Sequence, residues 1–266
     1  MFRIAQKASI KYLECLAERD LDFVIHAFCT RQGGVSGGSF ASLNVSAREG
    51  EGDDPVRLNF ESIAAAFGIT VSQFLPVHQV HRDGVWVVNG RTLLSAHDPP
   101  PECDAVVTDR PGIALCIKTA DCVPVFLIDP IRRVIGAVHA GWRGTALQIV
   151  EKAVGEMVQR FGARPSDLFA AIGPAIGPCC YEVDAGVYHA MSNHPERDSF
   201  FHARREEGKW MLDLFLANRQ QLLRSGLPPE RIRTADHCTA CHPELFFSHR
   251  AQGGYTGRQL NFIMIR

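Results

Sequence analysis

Three segments of the chain end in side chains that can bind a metal or act as a nucleophile. His81 ends "FLPVHQVH", Asp121 and Cys122 end "IALCIKTADC", and His139 ends "VIGAVH". Strand ends and the loops after them are where a scaffold presents catalytic and binding side chains. Two imidazoles and one thiolate form a suitable ligand set for zinc and leave a fourth tetrahedral position for water or substrate. The spacing of the three ligands matches no local zinc motif, so their grouping depends on the fold.

The same thiol and imidazole support an interpretation that needs no metal. A Cys122 thiolate can act as a nucleophile when a base such as His139 and a third, orienting group accompany it. Asp121 or Asp104 could supply the orienting carboxylate. The sequence therefore leaves open both a metal site and a metal-free Cys-His hydrolase or deamidase.

Two arginines stand in glycine-rich segments that suit an anion. Arg31 lies in "TRQGGVSGGSFASLN" (residues 30–44), whose glycines let backbone N–H groups approach an anion closely, although no Gly-Lys-Ser/Thr of a Walker loop follows. Arg143 lies in "GWRGT", at the predicted beginning of a long helix, where free N–H groups favour a phosphate or carboxylate. A guanidinium could hold such a group through two hydrogen bonds.

Four of the nine cysteines lie in two local motifs. "CTACH" matches a c-type haem attachment pattern, but that cofactor belongs to exported proteins and the chain shows no export signal. Because no second cysteine pair stands at the spacing of a zinc ribbon, Cys238 and Cys241 are predicted to be buried thiols or, less often, a redox-sensitive pair. Cys179 and Cys180 are neighbours in "GPCCYEV" and are predicted to be packing residues.

Short apolar segments rich in β-branched residues predict the strands that position these side chains. Apolar residues at i, i+3, i+4 and i+7 predict helices over residues 146–161, 212–224 and 56–67. The predicted strands are "DFVIHAF", "GVWVVN", "DAVVT", "GIALCIK", "VPVFLID" and "RVIGAVHA".

The order of these elements predicts an α/β (α+β) fold. Some strands follow one another directly and others are separated by helices, which is typical of mixed sheets with helices on their outer faces. The proline-rich segment at residues 97–104 is the one candidate hinge, and apolar strands flank it on both sides. We therefore expect one domain over residues 1–266.

The composition is that of an ordinary globular protein. Of 266 residues, 46% are hydrophobic and 21% are charged, and the net charge is -1. This charge gives no sign of the basic surface that nucleic acid or an anionic membrane requires. No apolar run is long enough to span a bilayer, and an odd number of cysteines suits a reducing compartment. We expect a cytoplasmic protein with no nucleic-acid, membrane or obligate protein partner.

The segments together resemble the successive signature blocks of a known family. These are the laccase-domain proteins, once called multicopper polyphenol oxidases, whose bacterial members are described as purine nucleoside phosphorylases. The resemblance runs from about His26 to Ile263 and so covers nearly the whole chain. The blocks are "HAFCTRQGGVSGGSFASLNVS", "VHQVH", "DAVVTDRPGIALCIKTADCVPVFLIDP", "GAVHAGWRGT", "IGPAIGPCCYEV", "CTACHPELFFSHR" and "TGRQLNFI".

The resemblance implies a fold, a metal site and an activity. The fold is a single α/β domain with mixed sheets sandwiched between helices, similar in its core to cysteine-deamidase toxins. The metal site falls on His81, Cys122 and His139 and would bind zinc, with copper possible. The activity is phosphorolysis of adenosine, inosine and S-methyl-5'-thioadenosine to base and ribose 1-phosphate, with adenosine deamination as a second reaction.

The remaining substrate-binding and catalytic residues are predictions on the same basis. Arg31, Arg143 and the glycine-rich loop are expected to bind phosphate, and Asn44 and His249 to contact the nucleoside. The small-molecule partners are then purine nucleosides and phosphate.

Proton transfer and the competing functions remain open at this stage. Cys122, His139 and Asp121 are the predicted catalytic residues, and Asp121 or Glu182 is expected to move the proton. The alternatives to a zinc-associated phosphorylase are the metal-free Cys-His hydrolase, a copper-dependent polyphenol oxidase and a non-enzymatic metal-binding module. A multicopper oxidase needs many histidines in His-x-His pairs, and the chain has no such pair, which argues against copper.

Overall fold

The computed structural model describes residues 1–15, 21–47, 50–89, 99–203 and 206–266. The strands are β1 (Phe2–Lys7), β2 (Ile10–Cys15), β3 (Val24–Cys29), β4 (Phe74–Leu75), β5 (Val85–Val88), β6 (Ala105–Thr108), β7 (Ala114–Thr119), β8 (Val123–Asp129), β9 (Val134–Ala140), β10 (Phe169–Ile172), β11 (Glu182–Asp184), β12 (Phe201–Ala203), β13 (Lys209–Leu212), β14 (Ile232–Thr234) and β15 (Gln259–Ile265). The helices are α1 (Asp53–Phe67), α2 (Trp142–Ala146), α3 (Ile149–Phe161), α4 (Ala185–Ala190), α5 (Arg197–Phe200) and α6 (Leu214–Arg224).

Two six-stranded mixed sheets form the centre of the molecule. The first has the order β1-β2-β3-β15-β7-β4, and the second has the order β14-β10-β8-β9-β6-β5. Most neighbours are antiparallel, and β4–β7, β10–β14 and β5–β6 are the parallel pairs. A small sheet, β11-β13-β12, shares no strand with either of them. The order of the strands places the beginnings of β6 and β8 on either side of the end of β9.

Alternate residues of each central strand face two different apolar layers, as the two-residue period of a strand requires. Phe28 of the first sheet and Phe126 of the second belong to one buried cluster, and their rings stack with centroids 4.3 Å apart. The outer face of the first sheet packs against α1, for example through Phe262 and Phe67. The outer face of the second sheet packs against α3 and α6. The layers are therefore helix, sheet, sheet and helices.

This architecture confirms the predicted α/β fold with mixed sheets between helical layers. The described residues form a single domain; the boundaries 1–266 and the likeness to cysteine-deamidase toxins stay predictions. Residues 97 and 98 of the proline-rich segment lie outside the described residues. No helix in the described ranges has the length and apolar character needed to cross a membrane.

The helix predicted over residues 146–161 is divided in the structure. Gln148 has a positive φ of 61°, so α2 ends before it and α3 begins at Ile149. Arg143 lies in the five-residue α2 rather than at the beginning of the long helix. The expectation that Arg143 stands at the N-terminus of the amphipathic helix is therefore corrected, because a left-handed residue interrupts the helix between Arg143 and Ile149.

Candidate metal centre and substrate cavity

Two central strands of the second sheet, β8 and β9, bring two of the predicted ligands together. Cys122 directly precedes β8, and His139 is the penultimate residue of β9. The antiparallel register pairs Val123 with Ala140 and Pro124 with His139. The beginning of β8 consequently lies beside the end of β9, which places the thiol next to the imidazole.

The third ligand comes from the loop between β4 and β5. His81 adopts a left-handed conformation with φ 59°, and its ring lies nearly perpendicular to that of His139, with centroids 4.8 Å apart. The potential ligand atoms of His81, Cys122 and His139 all lie within 4.8 Å of one another. The fold thus groups the three residues that the sequence placed far apart.

Asp104 supports this cluster through hydrogen bonds. Its fully buried carboxylate accepts hydrogen bonds from the backbone N–H groups of Val80 (3.1 Å), His81 (2.9 Å) and Arg82 (2.8 Å). The same carboxylate is 2.8 Å from Nδ1 of His139. A carboxylate at Nδ1 orients the ring and leaves Nε2 as the ligand nitrogen, which is the usual support of a metal-bound histidine. The sequence offered Asp104 and Asp121 as the orienting carboxylate, and Asp104 is the one that contacts His139.

The cluster favours a charged thiolate beside a charged imidazole. Burial by itself raises the pKa of Cys122, but the charge of His139 and hydrogen bonds from both histidines lower this pKa to about 6. Burial by itself lowers the pKa of His139, but the Cys122 thiolate and Asp104 raise it to about 9. Despite burial, the hydrogen bond to His139 and those from the backbone lower the pKa of Asp104. A thiolate is the form in which cysteine binds metals and acts as a nucleophile.

Gly141 leaves room for the cluster. A Cβ atom at this position would lie 2.9 Å from Sγ of Cys122 and 3.4 Å from Cδ2 of His81. The backbone of Gly141 has φ -71° and ψ 174°, which any residue can adopt, so space rather than conformation requires glycine here. The donor set, the oriented ring and this open approach fit a metal ion bound by the two histidines and the cysteine.

Gly141→Ala is therefore expected to weaken metal binding without unfolding the protein. Overpacking costs about 1–3 kcal/mol, which corresponds to an affinity lower by about 5- to 150-fold. Competition with a chelator measures the affinity of the His-Cys-His cluster. Gly155→Ala in α3 is the matched control, since no atom lies within 4 Å of its added methyl group. Equal affinities in the two variants would contradict the steric argument.

The cluster opens into a cavity of about 390 Å³ with several cationic groups in its wall. Among the described residues that line the cavity, Asp121 is the one carboxylate. Such a wall suits a ligand that carries negative charge and an uncharged ring system. The lining residues are Ser46, Val77, Gln79, His81, Lys118, Thr119, Ala120, Asp121, Cys122, His139, Trp142, Arg143, Ile176, Tyr181, Leu214, His249, Arg250 and Arg258.

Two of the predicted substrate contacts lie in this wall. Arg143 is exposed, and its guanidinium stacks over the Trp142 ring at 4.2 Å from the centroid. His249 is also exposed and lines the cavity. No hydrogen bond with a residue of the described ranges restrains the Arg143 guanidinium, which leaves its donors available to a ligand.

Arg31 does not lie in the cavity wall. Its Nε donates to the Ala41 carbonyl at 2.6 Å and its Nη1 to the Pro243 carbonyl at 3.0 Å, and its guanidinium lies 4.6 Å from the centre of the Phe247 ring. The glycine-rich loop closes upon Arg31 and directs it to carbonyls, not to an anion. This geometry gives no support to the expected phosphate contact, because the observed contacts of Arg31 join two loops.

The side chain of Asn44 likewise makes its hydrogen bonds within the protein. It is fully buried, donates to the Ser46 carbonyl at 2.7 Å and accepts from the backbone N–H of Arg258 at 2.8 Å. The structure does not bring Asn44 to the cavity surface. The expected nucleoside contact is corrected to that of a residue that orders the loops carrying Ser46 and Arg258, which do line the cavity.

Asp121 and Glu182 differ in position. Asp121 lines the cavity with a φ of 89°, and its carboxylate accepts hydrogen bonds from Thr239 Oγ1 and from the backbone N–H of Arg250, both at 2.6 Å. Its oxygens connect three loops. Glu182 is not a lining residue of the cavity. A role of either residue in proton transfer stays a prediction.

Several cavity residues were not predicted from the sequence. Lys118 lies in a strand whose other residues are buried, so a charged residue inside "IALCIKT" was the available signal. Arg250 and Arg258 belong to two of the quoted blocks but had no local pattern that separated them from surface arginines. Trp142 and Tyr181 were not singled out.

The structure also corrects the interpretation of four cysteines. Cys179 and Cys241 are exposed, Cys180 is half-buried and Cys238 is buried. Their Sγ atoms lie within 4.8 Å of one another, in a second cluster apart from the first. They are therefore not separate packing residues, because the fold joins two motifs that lie far apart in the sequence.

Comparison with known proteins assigns the chain to a family. The model of the family described as multi-copper polyphenol oxidoreductase laccase matches residues 25–266, and the chain belongs to this family. Purine nucleoside phosphorylase YlmD of Geobacillus stearothermophilus is 38% identical over 239 residues, which are 88% of this chain and 87% of that protein. The crystal structure of YlmD from the same organism superposes with a TM-score of 0.91, at 36% identity, over 99% of this chain and 98% of that chain.

A further relative carries the name of a different activity. Adenosine deaminase RL5, from an unknown prokaryotic organism, is 33% identical over 246 residues, which are 90% of this chain and 93% of that protein. The names of the relatives favour purine nucleoside chemistry over the copper oxidation that the family description mentions. The described residues agree, since the two clusters among them that could hold a metal ion are a His-Cys-His set and a group of four cysteines rather than paired histidines.

Proposed function

We propose that this protein is a purine nucleoside phosphorylase that also deaminates adenosine. Its substrates would be adenosine, inosine and S-methyl-5'-thioadenosine, each cleaved by phosphate to the free base and the sugar 1-phosphate. The observation that carries the proposal is one cavity that is lined by both a His-Cys-His cluster and several cationic side chains. Relatives named for the two activities support the same choice of substrate class.

Phosphorolysis requires that phosphate approach C1' of the ribose while the bond from C1' to the purine nitrogen breaks. The purine leaves with the bonding electron pair and must receive a proton. Arg143, with free donors and a partner ring beneath it, is the group proposed to hold the phosphate. Lys118, Arg250 and Arg258 add positive charge to the same wall and favour entry of the anion.

The nucleoside would bind between the metal cluster and the aromatic residues. Trp142 and Tyr181 offer ring surfaces to a purine, and His249 offers a ring nitrogen to the sugar. A zinc ion held by His81, Cys122 and His139 would supply a bound water of lowered pKa for attack at C6 in deamination. Asp104 would keep His139 oriented during that reaction.

The decisive experiment incubates the purified protein with adenosine in the presence and absence of phosphate. Chromatography should detect adenine and ribose 1-phosphate only when phosphate is present. The deamination product should appear as inosine without phosphate, and as inosine or its base hypoxanthine with phosphate. The absence of adenine, inosine and hypoxanthine in the presence of phosphate would refute the proposal. Removal of the metal by a chelator should reduce deamination, and added zinc should restore it.

Arg143→Ala is expected to raise the KM for phosphate by about 10- to 150-fold, because a hydrogen bond to a charged group contributes about 1.5–3 kcal/mol. Arg143→Lys should recover part of this loss, since it keeps the charge without the planar fork. Steady-state kinetics at saturating nucleoside measure the effect. Arg160→Ala is the control, an arginine on α3 whose ion pair with Glu156 lies outside the cavity. An unchanged KM in Arg143→Ala would exclude this residue from the phosphate site.

One observation favours a second candidate, the metal-free Cys-His hydrolase or deamidase. Cys122, His139 and Asp104 form a continuous series of a low-pKa thiol, an imidazole and an orienting carboxylate. This is the arrangement of a cysteine nucleophile with its base. Activity that persists after complete removal of metal, yet is lost in Cys122→Ser, would favour it.

A further inference from the structure

Four cysteines from two loops meet beside the substrate cavity. Strands β10 and β14 are parallel neighbours, so the loops that follow them leave the sheet at the same edge. One loop carries Cys179 and Cys180, and the other carries Cys238 and Cys241. Sγ of Cys241 is 3.5 Å from that of Cys179 and 3.3 Å from that of Cys180. All four thiols are free.

These separations correspond to four ligands around one ion. With Zn–S bonds of about 2.3 Å, the sulfurs of a tetrahedral site lie about 3.8 Å apart, and the four sulfurs here lie within 4.8 Å of one another. Cys241 is almost equally close to two different cysteines, so the geometry defines no single disulfide partner. Four thiolates in a tetrahedral arrangement select zinc or iron among the common metals.

The backbone holds the two loops at this distance. The Thr239 N–H donates to the Ala175 carbonyl at 2.9 Å, and this hydrogen bond joins the two loops close to the cysteines. The Gly177 N–H donates to Sγ of Cys238 at 3.2 Å, a contact that favours a thiolate. A Cβ at Gly177 would lie 3.3 Å from Sγ of Cys179, so glycine leaves the sulfurs their space. These backbone contacts therefore hold the four sulfurs close to one another.

We propose that Cys179, Cys180, Cys238 and Cys241 bind one Zn²⁺ as a second metal site of this protein. Four Zn–S bonds form as the four thiols release their protons. Because all four positions are occupied by protein ligands, no position is open to substrate, and the site is structural rather than catalytic.

The site would stabilise one wall of the substrate cavity. Thr239, between Cys238 and Cys241, donates a hydrogen bond of 2.6 Å to Asp121 in that wall. The Cys180 carbonyl accepts a hydrogen bond of 3.3 Å from Nη1 of Arg250, which also lines the cavity. A zinc ion that joins the two loops thus fixes groups on which the cavity depends, without touching the His-Cys-His cluster.

Metal content and stability of the full chain test the proposal. We expect Cys179→Ser/Cys241→Ser to contain one zinc per chain fewer than the unsubstituted protein by elemental analysis, and to unfold several degrees lower. Cys116→Ala, which removes a buried thiol outside both clusters, should keep the full zinc content. Equal zinc content in the double variant and the unsubstituted protein would refute the site, and iron in place of zinc would refute the zinc assignment.

A second measurement needs no substitution. The unsubstituted, reduced protein is alkylated before and after removal of zinc by a strong chelator, and mass spectrometry maps the modified cysteines. Because Cys179 and Cys241 are exposed, they should react slowly with zinc present and quickly without it. Equal alkylation under both conditions, or disulfides among the four cysteines in the reduced protein, would contradict the proposal.

Discussion

Cys122→Ser is expected to lose the metal at the His-Cys-His cluster and to lower adenosine deamination by more than about 100-fold. A serine hydroxyl remains protonated at neutral pH and is a poor zinc ligand, whereas the pKa of the Cys122 thiol is about 6. Even the substitution of a residue that only orients a metal ligand by a hydrogen bond lowers metal affinity or activity by about 10- to 100-fold. Loss of a ligand should therefore exceed that range.

The measurement compares metal content and activity in the same samples. Zinc is counted as the difference from the unsubstituted protein, so that the proposed site of four cysteines does not mask the loss. Cys116→Ser is the matched control, since this thiol is buried away from both clusters. Full zinc occupancy and full activity in Cys122→Ser would exclude Cys122 as ligand and as nucleophile.

Chelation separates the two functions that both need this cysteine. In the zinc-dependent interpretation, the chelated unsubstituted protein should lose deamination and regain it with zinc. In the metal-free interpretation, the chelated protein keeps its activity while Cys122→Ser is inactive. The combination of the two experiments therefore decides between a zinc ligand and a nucleophile.

Asp104→Asn is expected to lower metal affinity and activity by about 10- to 100-fold, the range for a group that orients a metal-bound histidine. Asparagine has one acceptor oxygen, whereas the Asp104 carboxylate accepts from three backbone N–H groups and from His139. The substitution removes the negative charge beside Nδ1 of His139 and leaves backbone N–H groups around His81 without an acceptor. Competition with a chelator measures the affinity, and thermal unfolding measures the accompanying loss of stability.

Asp129→Asn distinguishes orientation from general destabilisation. Asp129 is also fully buried, and its carboxylate accepts hydrogen bonds from the backbone N–H groups of Ile131 and Arg132. It is the last residue of β8, whereas the His-Cys-His cluster lies at the beginning of that strand. We expect this variant to lose stability and to keep its metal affinity. Equal losses of affinity in Asp104→Asn and Asp129→Asn would show that Asp104 has no specific role at the cluster.

Local patterns in the sequence determined the central elements of the fold. The continuous apolar, β-branched segments that predicted β8 and β9 are buried at every residue in the structure. Strands buried on both faces need such continuous segments, so their sequences identify them without tertiary information. The periodicity of α1 and α3 was similarly sufficient, except where Gln148 adopts a left-handed conformation. Single-residue breaks of this kind leave no mark on the apolar pattern.

Other strands could not be predicted in this way. The hairpin β1–β2 was not predicted, and its first strand is exposed at four of its six residues and buried at none. The last strand, β15, is buried throughout and lies between β3 and β7, yet it was noticed only as part of a motif. Its burial depends on partners distant in sequence.

The sequence determined by itself which residue types this protein presents at the ends of its strands, and the resemblance indicated which three belong together. Only the tertiary structure decided between Asp104 and Asp121, because each precedes a strand and their difference lies in the strand order that places Asp104 beside His139. It likewise turned Arg31 towards carbonyl groups and grouped four cysteines through the parallel pairing of β10 and β14. The physical reason is common to all three: strand pairing and loop closure act between residues far apart in the chain, which no local pattern records.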